Sequence, residues 1–165
     1  MDKDTFWKMV DQSRRGTKDV DEQMERLFAL VRELDPPEIL EFDRCFLECV
    51  KDAFRGDLWA AAYIINGGCS DDGFDYFLGW LIALGRINYE TALGNPERAG
   101  DCVEPGDFAE CGKSWSVAAR AYEDKTGKTD FYETAPKVYR TLIGELFEED
   151  KVEALYPELA ERFRH

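Results

Sequence analysis

The sequence predicts an all-α protein, and three observations carry that expectation. Apolar residues recur at three- and four-residue spacing along most of the chain. Segments open on aspartate or proline and several close on glycine, which is how helices are punctuated. Nowhere do strands alternate with helices as a parallel sheet requires. At 165 residues the chain suits a single helical domain over residues 1–165, with about six to eight helices around a central buried helical hairpin.

Taken in order, Phe6, Met9 and Val10 after Asp4 mark a short first helix that fades at "RRGTK". Asp19 opens a second, with Glu22 at capping-box spacing and Val20, Met24, Leu27, Val31 and Leu34 on its inner stripe. "DPPE" then breaks the chain and starts a third, because proline is tolerated in a first turn. That helix turns Ile39, Phe42, Phe46, Val50 and Phe54 inward, with Gly56 expected as its C-cap.

The hairpin follows over residues 57–93, formed by "DLWAAAYIIN" and "FDYFLGWLIALGRINYETAL". Its second helix carries two apolar stripes, Phe74, Phe77, Leu78, Leu81 and Ile82 on one, and Tyr76, Trp80, Ala83, Leu84 and Ile87 on the other. A helix apolar almost all round belongs at the centre of a bundle. Ala60, Ala61 and Ala62 leave room for a neighbouring backbone. "GNPERAGDCVEPGDF" reads as loop with one turn at Asn95 and Pro96, and Trp115, Ala118, Ala119 and Tyr122 mark a helix closed by Gly127. "KTDFYETAPKVYRTLIG" reads as extended, and "FEEDKVEALYPELAERF" as one or two short acidic helices meeting near Pro157.

Charge and composition exclude several roles. A net charge of −14 opposes nucleic acid, whose phosphates need a basic surface. The longest charge-free run is Leu58–Ser70, too short for a bilayer, and the polar start "MDKDTFWKMV" is no signal peptide. Five cysteines without export signals read as reduced cytoplasmic thiols. The sole histidine, His165, ends the chain, where segments are usually loose, so histidine-dependent triads, dyads and metal sites are not expected. Walker, dinucleotide-binding and EF-hand patterns are missing as well, and neither a metal nor a cofactor is expected.

What remains is the loop in "YIINGGCSDDGFDYF", residues 63–77. Cys69 stands before a helix whose N-terminal partial charge favours a thiolate, but Asp71 and Asp72 oppose one. Ser70 and the two aspartates are also helix-capping residue types, which is the structural reading of the same loop. Asp75, Gly79, Arg86 and Glu90 form the one polar strip on the following helix, either lining a pocket or forming a solvated seam with an Arg86–Glu90 pair. The candidate ligand-binding residues are therefore Asn66, Cys69, Ser70, Asp71, Asp72, Asp75 and Arg86, with no catalytic residue assigned. Cys45 and Cys49, four apart on one helix face, read as small core hydrophobes.

The stretch "LWAAAYIINGGCSDDGFDYFLGWLIALGR", with "FWKMVDQSRR" near the start and "LYPELAERF" near the end, resembles a bacterial family known only as domain-of-unknown-function family forty-two forty. The resemblance runs over essentially the whole chain and implies a helical fold and a bacterial, cytoplasmic origin; it implies no activity. Where this chain has Leu78 the family pattern carries arginine, so a charge beside the loop is lost. The leading expectation is a non-enzymatic cytoplasmic binding or regulatory protein that engages a basic protein partner, away from nucleic acid and membranes. The alternative is a small enzyme acting on a polar or cationic substrate at the Asn66–Gly73 loop.

Overall fold

In the computed structural model, which describes residues 1–165, Asp2 rather than Asp4 caps the first helix, α1 (Lys3–Arg14), its carboxylate accepting from the Thr5 N–H at 2.8 Å. Asp19 caps α2 (Val20–Arg32) as its spacing to Glu22 suggests, accepting from the Glu22 N–H at 2.8 Å. Glu22 reaches back to the Lys18 N–H at 3.4 Å, one residue before the cap. α3 (Pro36–Ala53) starts on its two prolines and buries Ile39, Phe42, Phe46 and Val50. Cys45 and Cys49 are buried with them.

Gly56 does not cap α3. It is the first residue of α4 (Gly56–Asn66), and its missing side chain serves another purpose. The Gly56 N–H donates to the Ile143 carbonyl at 3.0 Å, and the Ile143 N–H donates to the Phe54 carbonyl at 2.9 Å. This clasp is an isolated parallel bridge between Arg55 and Ile143, the only strand-like pairing in the molecule. A Cβ at Gly56 would stand 2.8 Å from the Glu145 carbonyl carbon and nearer still to its oxygen, so only glycine lets the two backbones meet.

The central hairpin also differs from expectation. Its second half is two helices, α5 (Asp71–Ala83) and α6 (Arg86–Gly94), separated at Gly85 with φ +94°. Asp11 of α1 caps the second piece, its Oδ1 accepting from the Arg86 N–H at 3.1 Å in the space a Cβ on Gly85 would occupy. The Arg14 guanidinium takes the Leu84 carbonyl at 2.8 Å, and the Asn88 amide takes it at 3.0 Å. The carbonyl freed by the break is thus satisfied. Phe74, Phe77, Leu78, Leu81 and Ile82 are buried as the first stripe requires. The second stripe is broken: Trp80, Ala83 and Leu84 are buried, whereas Tyr76 is 42% and Ile87 81% exposed. Leu78 lies fully inside the core.

Beyond α6, a 3₁₀ segment (Pro96–Cys102) begins at Asn95, and a second (Gly112–Ser116) runs into α7 (Val117–Thr126), which Gly127 closes with φ +71°. α8 (Phe131–Thr134) is a single turn, residues 135–148 form neither helix nor strand apart from the bridge at Ile143, and α9 (Val152–Leu155) and α10 (Pro157–Arg162) end the chain. Seven helices of nine or more residues thus enclose one cluster of 41 buried apolar residues. Trp59 of α4 stacks on Phe74 of α5 at 4.7 Å between ring centroids, which locks the hairpin. No helix is long and apolar enough to cross a membrane.

Candidate functional site

The Asn66–Gly73 loop joins α4 to α5 through backbone that only glycine adopts easily. Gly67 (φ +69°) ends α4 in the left-handed conformation, and the Gly68 N–H donates to the Tyr63 carbonyl at 2.8 Å, closing the helix. Ser70 alone caps α5, its hydroxyl accepting from the Gly73 N–H at 3.1 Å. Asp71 and Asp72 sit exposed in the first turn, where the helix dipole favours negative charge. Asn66 is committed to structure: its amide group donates to the Ala109 carbonyl at 3.3 Å and accepts from the Ala109 N–H at 2.9 Å.

Cys69 is half-buried, and its carbonyl accepts from the Trp59 indole N–H at 2.9 Å. Burial, and then the carboxylate of Glu110, push its thiol up to about 12. The thiol therefore stays largely protonated at pH 8, whereas the alternative reading needs an acidic one. Alkylation of Cys69, followed by peptide mapping, is expected to accelerate about tenfold per pH unit without levelling off below pH 9. A plateau near pH 8 would contradict the buried, Glu110-facing thiol.

The polar strip does not act as a unit. Asp75 pairs with Arg140 at 2.6 Å, and its carbonyl accepts from the Trp115 indole N–H at 2.9 Å. The Arg140 guanidinium lies 4.3 Å from the Phe54 ring centroid, and its Nη1 is buried without a hydrogen-bond partner. Gly79 packs against Ser114 and Cys111, so the space beside it is filled and is no pocket. Arg86, carried beyond the Gly85 break, pairs with Asp4 at 2.6 Å and Glu90 at 2.9 Å and takes no part in the loop. Of the seven candidate residues, the structure therefore leaves Asp71 and Asp72 with free side-chain acceptors, beside a thiol that holds its proton.

Three residues at the loop escaped the sequence reading. Glu110 faces Cys69, Arg140 takes Asp75, and the His165 ring lies against Gly67. His165 is not a free end: its Nε2 donates to the Ile64 and Ile65 carbonyls, each at 3.2 Å, finishing the end of α4. None of the three sits at helical spacing from the loop, so periodicity holds no signal for them. No group of three or more histidine, cysteine or acidic side chains is placed to hold a metal ion.

Fold and loop together define an all-α protein whose buried hairpin opens at an acid-flanked, serine-capped turn. The chain belongs to the family described as "Protein of unknown function (DUF4240)", which it matches over residues 1–124. The match stops before "LYPELAERF", so the C-terminal segment lies outside it. No curated protein and no solved structure matches the chain.

Proposed function

We propose that this is a cytoplasmic bacterial binding protein without a catalytic role, and that residues 143–155 present it to a basic protein partner. The observation that carries the reading is the surface composition of that segment. Ile143, Leu146 and Leu155 are exposed, and between them stand Glu145, Glu148, Glu149, Asp150 and Glu153, all exposed. Lys151 neutralises only Glu148, at 2.7 Å. Phe147 holds the segment down, its ring 5.4 Å from that of Tyr63 and 6.5 Å from that of Trp59. Apolar anchors ringed by carboxylates suit a partner with apolar side chains set among lysine or arginine, and such charge steers the encounter. The same charge repels phosphate backbones.

A photo-cross-linking residue at Leu146, carried by the intact chain in bacterial cells, tests the proposal. Adducts with basic proteins are expected to form in the otherwise wild-type chain. They should fail to form in Glu145→Lys/Asp150→Lys/Glu153→Lys and when a lysate is irradiated at about 0.5 M salt, where exposed charges are screened. An adduct pattern unchanged by the triple reversal overturns the reading.

A further inference from the structure

A cleft of about 800 Å³ lies away from both the loop and the acidic segment. It opens between the α1–α2 turn on one side and residues 102–108 on the other, with the end of α5 as its floor. That volume falls within the range of small-molecule sites. On the turn side stand Arg14, Arg15 and Lys18. None of the three joins an ion pair, although the chain has 35 carboxylates to 21 lysines and arginines and twelve of those cations are paired. Arg26 adds a fourth positive charge by donating to the Arg15 carbonyl.

The carboxylates on the same side keep their charge but point an oxygen at a helix end. Asp11 caps α6 and Asp19 caps α2, each accepting a backbone N–H. Glu104 and Asp107 lie across the cleft, within residues 102–108. Arg14 donates one N–H to the Leu84 carbonyl, which fixes its guanidinium over the end of α5, and its positive charge reaches the Cys102 thiol. The floor is apolar, with Trp80, Ala83 and Leu84. Phe108, 71% exposed at the rim, is a large apolar side chain without a burial partner of its own.

We propose that this cleft binds a small organic anion, its oxyanion held by Arg14, Arg15 and Lys18 and its flat apolar body resting on Trp80 beneath Phe108. Guanidinium forks match carboxylate and phosphate oxygens in pairs, and a ring on an indole edge removes apolar surface from water. Either half alone is weak; joined in one molecule they reinforce each other.

Amide-resolved NMR titration of the full chain with phenyl phosphate, benzoate, benzamide and inorganic phosphate tests it. Phenyl phosphate, benzoate or both are expected to give saturable shifts confined to residues 14–20, 80–84 and 102–108. Binding of phenyl phosphate alone assigns a phosphate ester, and of benzoate alone a carboxylate. Benzamide, which has the ring without the charge, and inorganic phosphate, which has the charge without the ring, should each bind at least about tenfold more weakly than the better of the two. Arg15→Ser/Lys18→Ser, both exposed, should keep the rest of the spectrum and weaken the ring-bearing anions about tenfold. Phe108→Ala should weaken those anions and leave inorganic phosphate unchanged. No saturable shift up to about 10 mM of either anion, equal binding of benzamide, or full affinity in the double variant overturns the proposal.

Discussion

Gly79→Ala is expected to lower stability by about 3 kcal/mol or more, because the added methyl has nowhere to go. Its Cβ would lie 2.5 Å from the Cys111 carbonyl oxygen and closer still to the Ser114 hydroxyl, with the Trp115 indole nitrogen at 3.2 Å. The carbonyl cannot swing aside cheaply. It belongs to the residue whose N–H donates to the Tyr76 carbonyl at 2.8 Å, and it accepts from the Ser114 hydroxyl at 2.8 Å. α5 must therefore move away from the 3₁₀ turn at residues 112–116. Thermal unfolding should show a midpoint about 10 °C lower. Gly94→Ala makes the contrast: nothing lies within 4 Å of its Cβ position, and a gain of about 0.5–1 kcal/mol is expected from helix propensity alone. If the two variants melt together, the close packing of α5 on residues 111–115 is refuted.

Asp43 supplies the second large effect, of opposite sign. It lies on the inner face of α3 at 8% exposure and takes part in no ion pair. Burial pushes its carboxyl up to about 6, and the Lys137 ammonium only partly offsets this. The sign follows from linkage. The folded state holds the proton at a pH where the unfolded chain, at an ordinary value near 3.8, has released it. Stability from this group is thus highest below about pH 4, falls as pH rises toward 6, and stays lower by about 3 kcal/mol at neutral pH. Asp2, Glu41 and Asp57, whose carboxyls are held below the usual range by hydrogen bonds, act in the opposite direction and lose stability in acid. Asp43→Asn is expected to gain about 1–3 kcal/mol at pH 7 and to flatten the decline between pH 4 and 6. Urea unfolding of both proteins at a series of pH values measures this. A variant no more stable than wild type at pH 7, with the same pH slope, would show that Asp43 keeps its charge in the fold.

These two residues mark the boundary of what the sequence reveals. Local chemistry was legible where a residue acts on its own segment: Asp19 caps α2, Pro36 starts α3, Ser70 caps α5 and Gly127 ends α7. The break at Gly85 was not. A glycine inside an apolar periodic run costs a helix only about 1 kcal/mol, so its position alone predicts no interruption. What turns it into one is Asp11, 75 residues from the amide that it caps. The candidate loop divides the same way. Its turn was readable from Gly67 and Ser70, whereas the partners of Asp75 and Gly67, Arg140 and His165, arrive from the last 26 residues by tertiary packing. A continuous helix would align Arg86 with Asp75 and so place it with the loop. One positive φ angle separates them.

The clasp at Gly56 ties the two parts of this chain together in a way their similarity does not. Gly56 lies within the span shared with the family, yet its bare α-carbon accommodates a backbone that lies outside that span. The absence of a side chain there is a docking socket for the C-terminal segment, whose Glu145 carbonyl occupies the space a Cβ would take. A relative with a different C-terminal extension has no steric reason to keep glycine at this position. The residue found there thus reports whether the extension is seated in the same way.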